Sequence, residues 1–420
     1  MSARSKPYNP FTLRNLFVFV LLAIVGYFIH VHTFKPSSQG TEYKYIPSPL
    51  RASVPTPPPT PSVPFYPITG VNVYGLLSHS CGMGRASRNV LKCLLAANGS
   101  VTATDITANH FGSKGPIDEF EHYGVSNLPS NNYLFDLFAV NADYTPGILS
   151  YIARLDKEKT GLAAGSRFHP YSNHYRIGLW HWETSSLPLP QGFIGGSYNE
   201  IWTPTRFVAD AIRNTPTFPR TAKVVVLPYG IAMELPLAAG AVREAARSRL
   251  QNYTLNVGQL WPAFRKTTAI EKWSQPGSKT TIFLVVFDFK SDFNRKNVIG
   301  SMAAFEEAFP PSKEDDVGLI IKMDGHLIPE LKPDCDKVMA DIMKYNDDRI
   351  YYFGGYSADE DLYDIKRGTD CYVSLHRSEG LGLNLLEAIF SGVPTISTAF
   401  SGSEDFMDIF YGNIGPSAFI

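Results

Sequence analysis

The chain is predicted to be an α/β protein of two Rossmann-like, doubly wound units facing a cleft, and three observations predict it. Short, almost wholly apolar runs such as KVVVLPYGI (223–231), TIFLVVF (281–287) and VGLIIKM (317–323) have the composition of strands buried on both faces of a parallel sheet. Stripes of helical period lie between such runs, so strand and helix alternate along the chain. Two strand-to-helix junctions carry glycine loops, SHSCGMGRASR from residue 78 and SEGLGLN from residue 378. A loop of this kind points backbone N–H groups and the positive end of a helix at one spot, which suits an anion. With 420 residues and 44% hydrophobic content the chain is long enough for two such units. A net charge of −1 leaves no polyanion footprint, so no nucleic-acid partner is expected.

Residues 1–35 read as a cytosolic tail and signal-anchor helix. Leu16 to Ile29 is apolar apart from one glycine, Arg4, Lys6 and Arg14 precede it, and no small-x-small cleavage pattern follows. This predicts a single-pass type II membrane protein of the ER or Golgi, with the rest of the chain lumenal; a cleaved signal peptide is the alternative reading of the same run. Residues 36–69, which contain PTPPPTPSVP, read as an extended Pro-rich stem. The sequons Asn98-Gly-Ser and Asn252-Tyr-Thr are compatible with that placement. The four cysteines, at 81, 93, 335 and 371, make neither a disulfide framework nor a CxxC zinc pattern, so no metal site is expected.

The first unit spans residues 70–235. Val71 to Leu77 reads as a strand and a helix is expected from about Ala86 to Ala97, with Gly82, Gly84, Arg85 and Arg88 at the junction. Gly82-x-Gly84 without a third glycine is not the dinucleotide fingerprint. RIGLWHWETSSLP (176–188) and NEIWTPTRFVADAI (199–212) continue the alternation, and His181 and Glu183 beside two tryptophans suit contacts to sugar hydroxyls. Residues 236–279, with AAGAVREAARSRL, read as a connector.

The second unit spans residues 280–420. Its first strand leads to a loop with Lys290, Arg295 and Lys296 before a helix over Val298 to Phe309. Cations at a helix start oppose its dipole, so they point to an anion held between them. DDRIYYFGGYS (347–357) is a later strand, and Ser357-x-x-Glu360 reads as a capping box. The stretch from Cys371 to Gly402 then reads as strand, glycine loop, helix and strand, the helix stopped by Gly392 and Pro394. Gly380, Leu381 and Gly382 form its loop, Glu379 precedes them, and Glu387 follows with seven residues between the two carboxylates. A carboxylate accepts two hydrogen bonds side by side, as vicinal hydroxyls require.

This stretch, SEGLGLNLLEA followed by SGVPTISTAFSG, resembles the donor-site signature of the group 1 (family four) retaining glycosyltransferases, which have the GT-B fold. The resemblance covers about residues 70–410, most strongly at 281–310 and 371–407. It implies that Glu379 contacts the donor sugar and Glu387 the nucleotide ribose. It further implies that Arg295 and Lys296, with Lys290, bind the donor diphosphate, and that Gly82, Gly84 and Arg88 face it from the first unit. The implied activity is metal-independent transfer, with retention, of a sugar from a UDP- or GDP-sugar to a hydroxyl of a glycan, glycolipid or glycoprotein, without a cofactor. His181 and Glu183 are then acceptor-side residues. Two other readings stand beside it. Asp359-Glu-Asp361 has the letters of a metal-binding acidic motif but opens a helix, where acids are expected. A sugar- or nucleotide-binding protein that kept the fold without catalysis is the other, because the chain stops at Ile420, soon after the strand that follows Glu387.

Overall fold

The computed structural model describes residues 70–411 apart from 80, 108–124, 126–132, 161–173, 229–239, 251–271, 290, 312–315, 325–331, 343, 346 and 355–358. The expected signal-anchor and stem lie outside the described residues, as do Lys290, Asn252 and Ser357. Among the described residues no helix is long and apolar enough to cross a membrane. Both sheets belong to one compact unit, Gly70–Ile420.

The first sheet contains β1 (Val71–Gly75), β2 (Val101–Asp105), β3 (Phe135–Ala139), β4 (Tyr175–Leu179), β5 (Glu200–Thr203) and β6 (Lys223–Val226). All are parallel, in the order β2-β1-β3-β4-β5-β6. Around it lie α1 (Gly82–Ala96), α2 (Thr145–Thr160), α3 (Leu189–Ile194) and α4 (Arg206–Arg213). Gly75 is level with both Asp105 and Ala139, so the loops after β1, β2 and β3 leave one sheet edge together. The chain winds outward in both directions from β1 and β3, which opens a crevice at their carboxyl ends. Aromatic rings fill this unit's core: Tyr74 stacks on Phe138 at 4.8 Å, and Trp180 meets Tyr198 edge-on at 5.7 Å.

The second half opens with α5 (Gly240–Arg249) and continues through β7 (Thr281–Asp288), α6 (Phe293–Lys296), α7 (Val298–Ala308), β8 (Val317–Asp324) and α8 (Lys332–Ile342). It ends with β9 (Ile350–Gly354), α9 (Asp359–Gly368), β10 (Cys371–Ser374), α10 (Leu383–Phe390), β11 (Thr395–Ser397) and α11 (Glu404–Tyr411). Its sheet is also parallel, ordered β11-β10-β7-β8-β9. Here the winding reverses between β7 and β10, so the loops after these two strands part and leave a crevice. The segment expected as a connector is bolted to this half. Arg243 and Arg247 on α5 bind Asp370 at 3.1 and 2.5 Å, and that carboxylate also accepts from the Ile282 backbone N–H at 2.8 Å. A Cβ at Gly368 of α9 would lie 3.2 Å from the Ala246 backbone, so the two helices touch main chain to main chain.

Candidate active site

The loops that diverge from β7 and β10 carry the predicted donor-side residues. Arg295 and Lys296 lie not in an open loop but on α6, a single turn whose start is capped by Asp292, accepting from Asn294 N–H at 2.8 Å and Arg295 N–H at 3.3 Å. Asn297 then takes a left-handed conformation, φ 53°, and its side chain donates to Leu375 O at 2.8 Å. That joint separates the turn from α7 and ties it to the end of β10.

The Arg295 guanidinium donates to Ser378 O at 2.8 Å and to Ser291 Oγ at 2.6 Å, and meets Glu379 Oε2 at 3.2 Å. Lys296 Nζ binds the other oxygen of Glu379. Burial pushes the Glu379 carboxyl up, but Lys296 and Arg295 outweigh it and hold the group down at about 2. It is therefore an anion at neutral pH, an acceptor of hydrogen bonds and not a proton donor. Its backbone is held as firmly. The Glu379 N–H donates to Ser401 Oγ and the Gly402 N–H donates to Glu379 O, both at 2.8 Å. Ser401 adopts φ 76°, an uncommon conformation for a non-glycine residue, at this contact.

Glu387 lies one turn into α10 and is wholly buried. Lys366 Nζ of α9, also wholly buried, binds Glu387 Oε2. Arg85 Nη1, from the first turn of α1 in the other half, reaches the two Glu387 oxygens at 3.2 and 3.0 Å and Asn384 Oδ1 at 3.4 Å. A carboxylate without water is retained at such a position only when charge partners and hydrogen bonds replace the water.

The first unit meets this loop at three more places. Gly380 lies so close to Trp182 that a Cβ would be 2.7 Å from the Trp182 carbonyl oxygen, and Thr205 Oγ1 donates to Gly380 O at 2.8 Å. Glu183 binds Arg295 at 3.2 Å. Arg206 binds Asp405 through its backbone N–H at 2.7 Å and its Nε at 3.2 Å, while Phe207 packs edge-on against Phe400 at 5.7 Å.

Each predicted residue has a distinct place. Glu379, Arg295 and Lys296 converge, with Glu183 joining them from across the cleft. Leu381 is buried in the apolar core, and Gly382 starts α10 with φ 85°, a left-handed conformation that explains the glycine. Gly84 is packed, its hypothetical Cβ 2.1 Å from His79 O, whereas Gly82 has open space around it. Arg88 faces inward: it is buried and donates to Leu77 O at 3.3 Å and His79 O at 2.7 Å, holding the segment between β1 and α1; the two glycines expected in a loop lie in the first turn of α1, which starts at Gly82 and not at Ala86. Arg85, not Arg88, crosses to the second half. The His181 backbone N–H donates to Asn141 Oδ1 at 2.7 Å, and burial lowers its imidazole to about 4, so it is neutral at pH 7. Asp359-Glu-Asp361 opens α9, as its position before a helical stripe predicted.

Sequence reasoning missed Arg85's reach, Lys366, Thr205 and His376. His376 is buried with Nδ1 3.0 Å from Ser374 Oγ and Nε2 3.3 Å from Ser403 Oγ, bracing the loop between β10 and α11. Burial lowers its pKa despite the opposing pull of Glu379. Only Thr205 carried a readable signal, as the N-cap residue of α4.

Residues 277–410, from before β7 into α11, match the family of the glycosyl transferases group 1. A stretch of 60 residues is 47% identical to the mannosylfructose-phosphate synthase of Agrobacterium fabrum, covering 14% of this chain and 13% of that protein's length. Among solved structures, Anabaena Alr3699/HepE in complex with UDP and glucose aligns with a TM-score of 0.47 at 10% identity, covering 80% of this chain and 82% of that one. A UDP-forming trehalose-phosphate synthase from Burkholderia xenovorans aligns with a TM-score of 0.44 at 12% identity, covering 80% and 85%.

Proposed function

We propose that the chain transfers a sugar from a nucleoside-diphosphate sugar, such as a UDP- or GDP-sugar, to an acceptor hydroxyl, with retention and without a metal. The observation that carries this reading is the convergence of Glu379, Arg295 and Lys296 at the β7/β10 crevice, with Glu387 one helical turn beyond. Arg295 and Lys296 would stabilise the negative charge that develops on the departing diphosphate, the task a divalent ion performs elsewhere. Glu379, anionic at neutral pH, would accept from the donor sugar's hydroxyls, while Glu387, buried on Arg85 and Lys366, would anchor α10 behind it. His181 and Glu183 would face the acceptor. The basic flank and apolar run of residues 1–35 support a type II anchor in the ER or Golgi, which would place transfer in the lumen.

The test is donor turnover by the full chain with UDP- and GDP-sugars in EDTA, assayed as released nucleoside diphosphate, beside Glu379→Gln. We expect release from one donor and a loss of at least about 100-fold in the variant, as for removal of a strong polar contact at a reacting centre. Thermal stabilisation by a nucleotide without turnover of any donor would favour the binding-only reading. Turnover that requires added manganese would overturn metal independence.

A further inference from the structure

Glu183 reaches the donor-side cluster from a short loop whose two ends are fixed. Trp180 and Leu187 are buried in the first unit's core, and the N–H groups of His181 and Leu187 donate to Asn141 Oδ1 at 2.7 Å and Thr215 Oγ1 at 3.0 Å. Between these anchors Trp182 Nε1 donates to Thr184 Oγ1 at 2.7 Å and Ser186 O at 2.9 Å, and the Trp182 backbone lies against Gly380. The loop thus holds the Glu183 backbone beside the donor-side loop. Its side chain stays accessible, 47% exposed where those of Arg295 and Glu379 are each 10% exposed.

The partners of the Arg295 guanidinium divide in two. Ser291, Ser378 and Glu379 belong to its own half and hold it in place, whereas Glu183 comes from the other half. Charge points the same way. Arg295 and Lys296 are balanced by Glu379 and Glu183 together, and withdrawal of Glu183 leaves one positive charge over for an incoming anion. A carboxylate and a phosphate each offer a guanidinium a pair of oxygens, so the two compete for it. An exposed ion pair contributes little, and a diphosphate brings more charge than the carboxylate it would replace. We propose that Glu183 is a place-holder for the donor's diphosphate: its carboxylate neutralises Arg295 and gives it up when a nucleoside diphosphate binds. The proposal rests on the transferase reading above and adds a gate to its donor site.

The sign of one change in affinity decides the matter, because removal of a merely structural contact would weaken nucleotide binding or leave it unaltered. Calorimetry on the full chain, on Glu183→Gln and on Asp405→Asn would measure binding of UDP, GDP and pyrophosphate. Thermal unfolding would check that each variant is folded, as expected for the loss of an accessible ion pair. We expect Glu183→Gln to bind whichever of UDP and GDP the native chain binds about threefold or more tighter, the size of an exposed pair's contribution. Pyrophosphate should show a like gain, and the gain should shrink at high salt. Asp405→Asn neutralises a carboxylate that Arg206, not Arg295, holds at the same junction, and it should bind as the native chain does. Unchanged or weaker nucleotide binding in Glu183→Gln would overturn the proposal. So would an equal gain in Asp405→Asn, which would mark general repulsion in place of competition for Arg295. Failure of the native chain and both variants to bind either nucleotide would overturn the transferase reading and the gate with it.

Discussion

Glu379 shows how single charges are arranged here. Its carboxyl is almost fully buried, which by itself would favour the neutral form, yet Lys296 and Arg295 bring it from 4.5 to about 2. A carboxyl whose folded value lies below its unfolded value stabilises the fold above the unfolded value, and the contribution is lost as pH falls through the folded value. The loss therefore falls between about pH 4.5 and pH 2 and amounts to a contribution on the order of 3 kcal/mol. Urea titrations across that range should show a shallower decline of stability for Glu379→Gln than for the native chain. At pH 7 the same variant should be less stable, since two cations lose their partner. Equal slopes below pH 4.5 would mean that the Lys296 contact does not set the charge of Glu379.

Glycine positions within the site elements serve different ends. A Cβ at Gly402 would lie 1.9 Å from Gly380 O and 2.9 Å from Glu379 O, both main-chain atoms that have no room to withdraw. Gly402→Ala should therefore cost on the order of 3 kcal/mol by thermal or denaturant unfolding and should also displace Glu379. Gly82 has nothing within 4 Å at the start of α1, so Gly82→Ala should leave the melting temperature unchanged within about a degree or raise it slightly. Any rise in donor KM in that variant would then report close approach of the ligand alone. These elements also show what a sequence makes legible. The loops after β7 and β10 could be read because the glycines, carboxylates and cations lie beside the strands and helices that hold them. β2 and β3 were not read: VTATD alternates weakly and FDLFA is short, with an exposed Phe135 at its start. Nor could Arg85 be matched to Glu387, because the pair lies 302 residues apart and only the docking of the two halves brings it together. Arg88, with the same side chain three residues on, points at its own loop.

Over the described residues, the halves are joined largely at the loops after β7 and β10. Glu183 to Arg295, Arg85 to Glu387 and Thr205 to Gly380 are all contacts between the first sheet's unit and the donor-side loops. Coupling of this kind predicts one cooperative unfolding transition for the two sheets by calorimetry. Arg85→Ala leaves buried Glu387 with Lys366 and should lower stability by on the order of 3 kcal/mol, separating the single transition into two. A single transition at an unchanged temperature would show that Arg85 adds nothing to the joint.

The buried Arg85, Glu387 and Lys366 group also bears on inheritance. Glu387 cannot be exchanged for a neutral or basic residue while Arg85 and Lys366 remain, since that strands both cations away from water, and neither cation can become acidic beside it. The three codons, spread over both halves of the gene, are therefore bound to drift as a set. A chimera joining the first half of this chain to the second half of a distant relative should fail at this point unless position 85 and the carboxylate it meets come from the same parent.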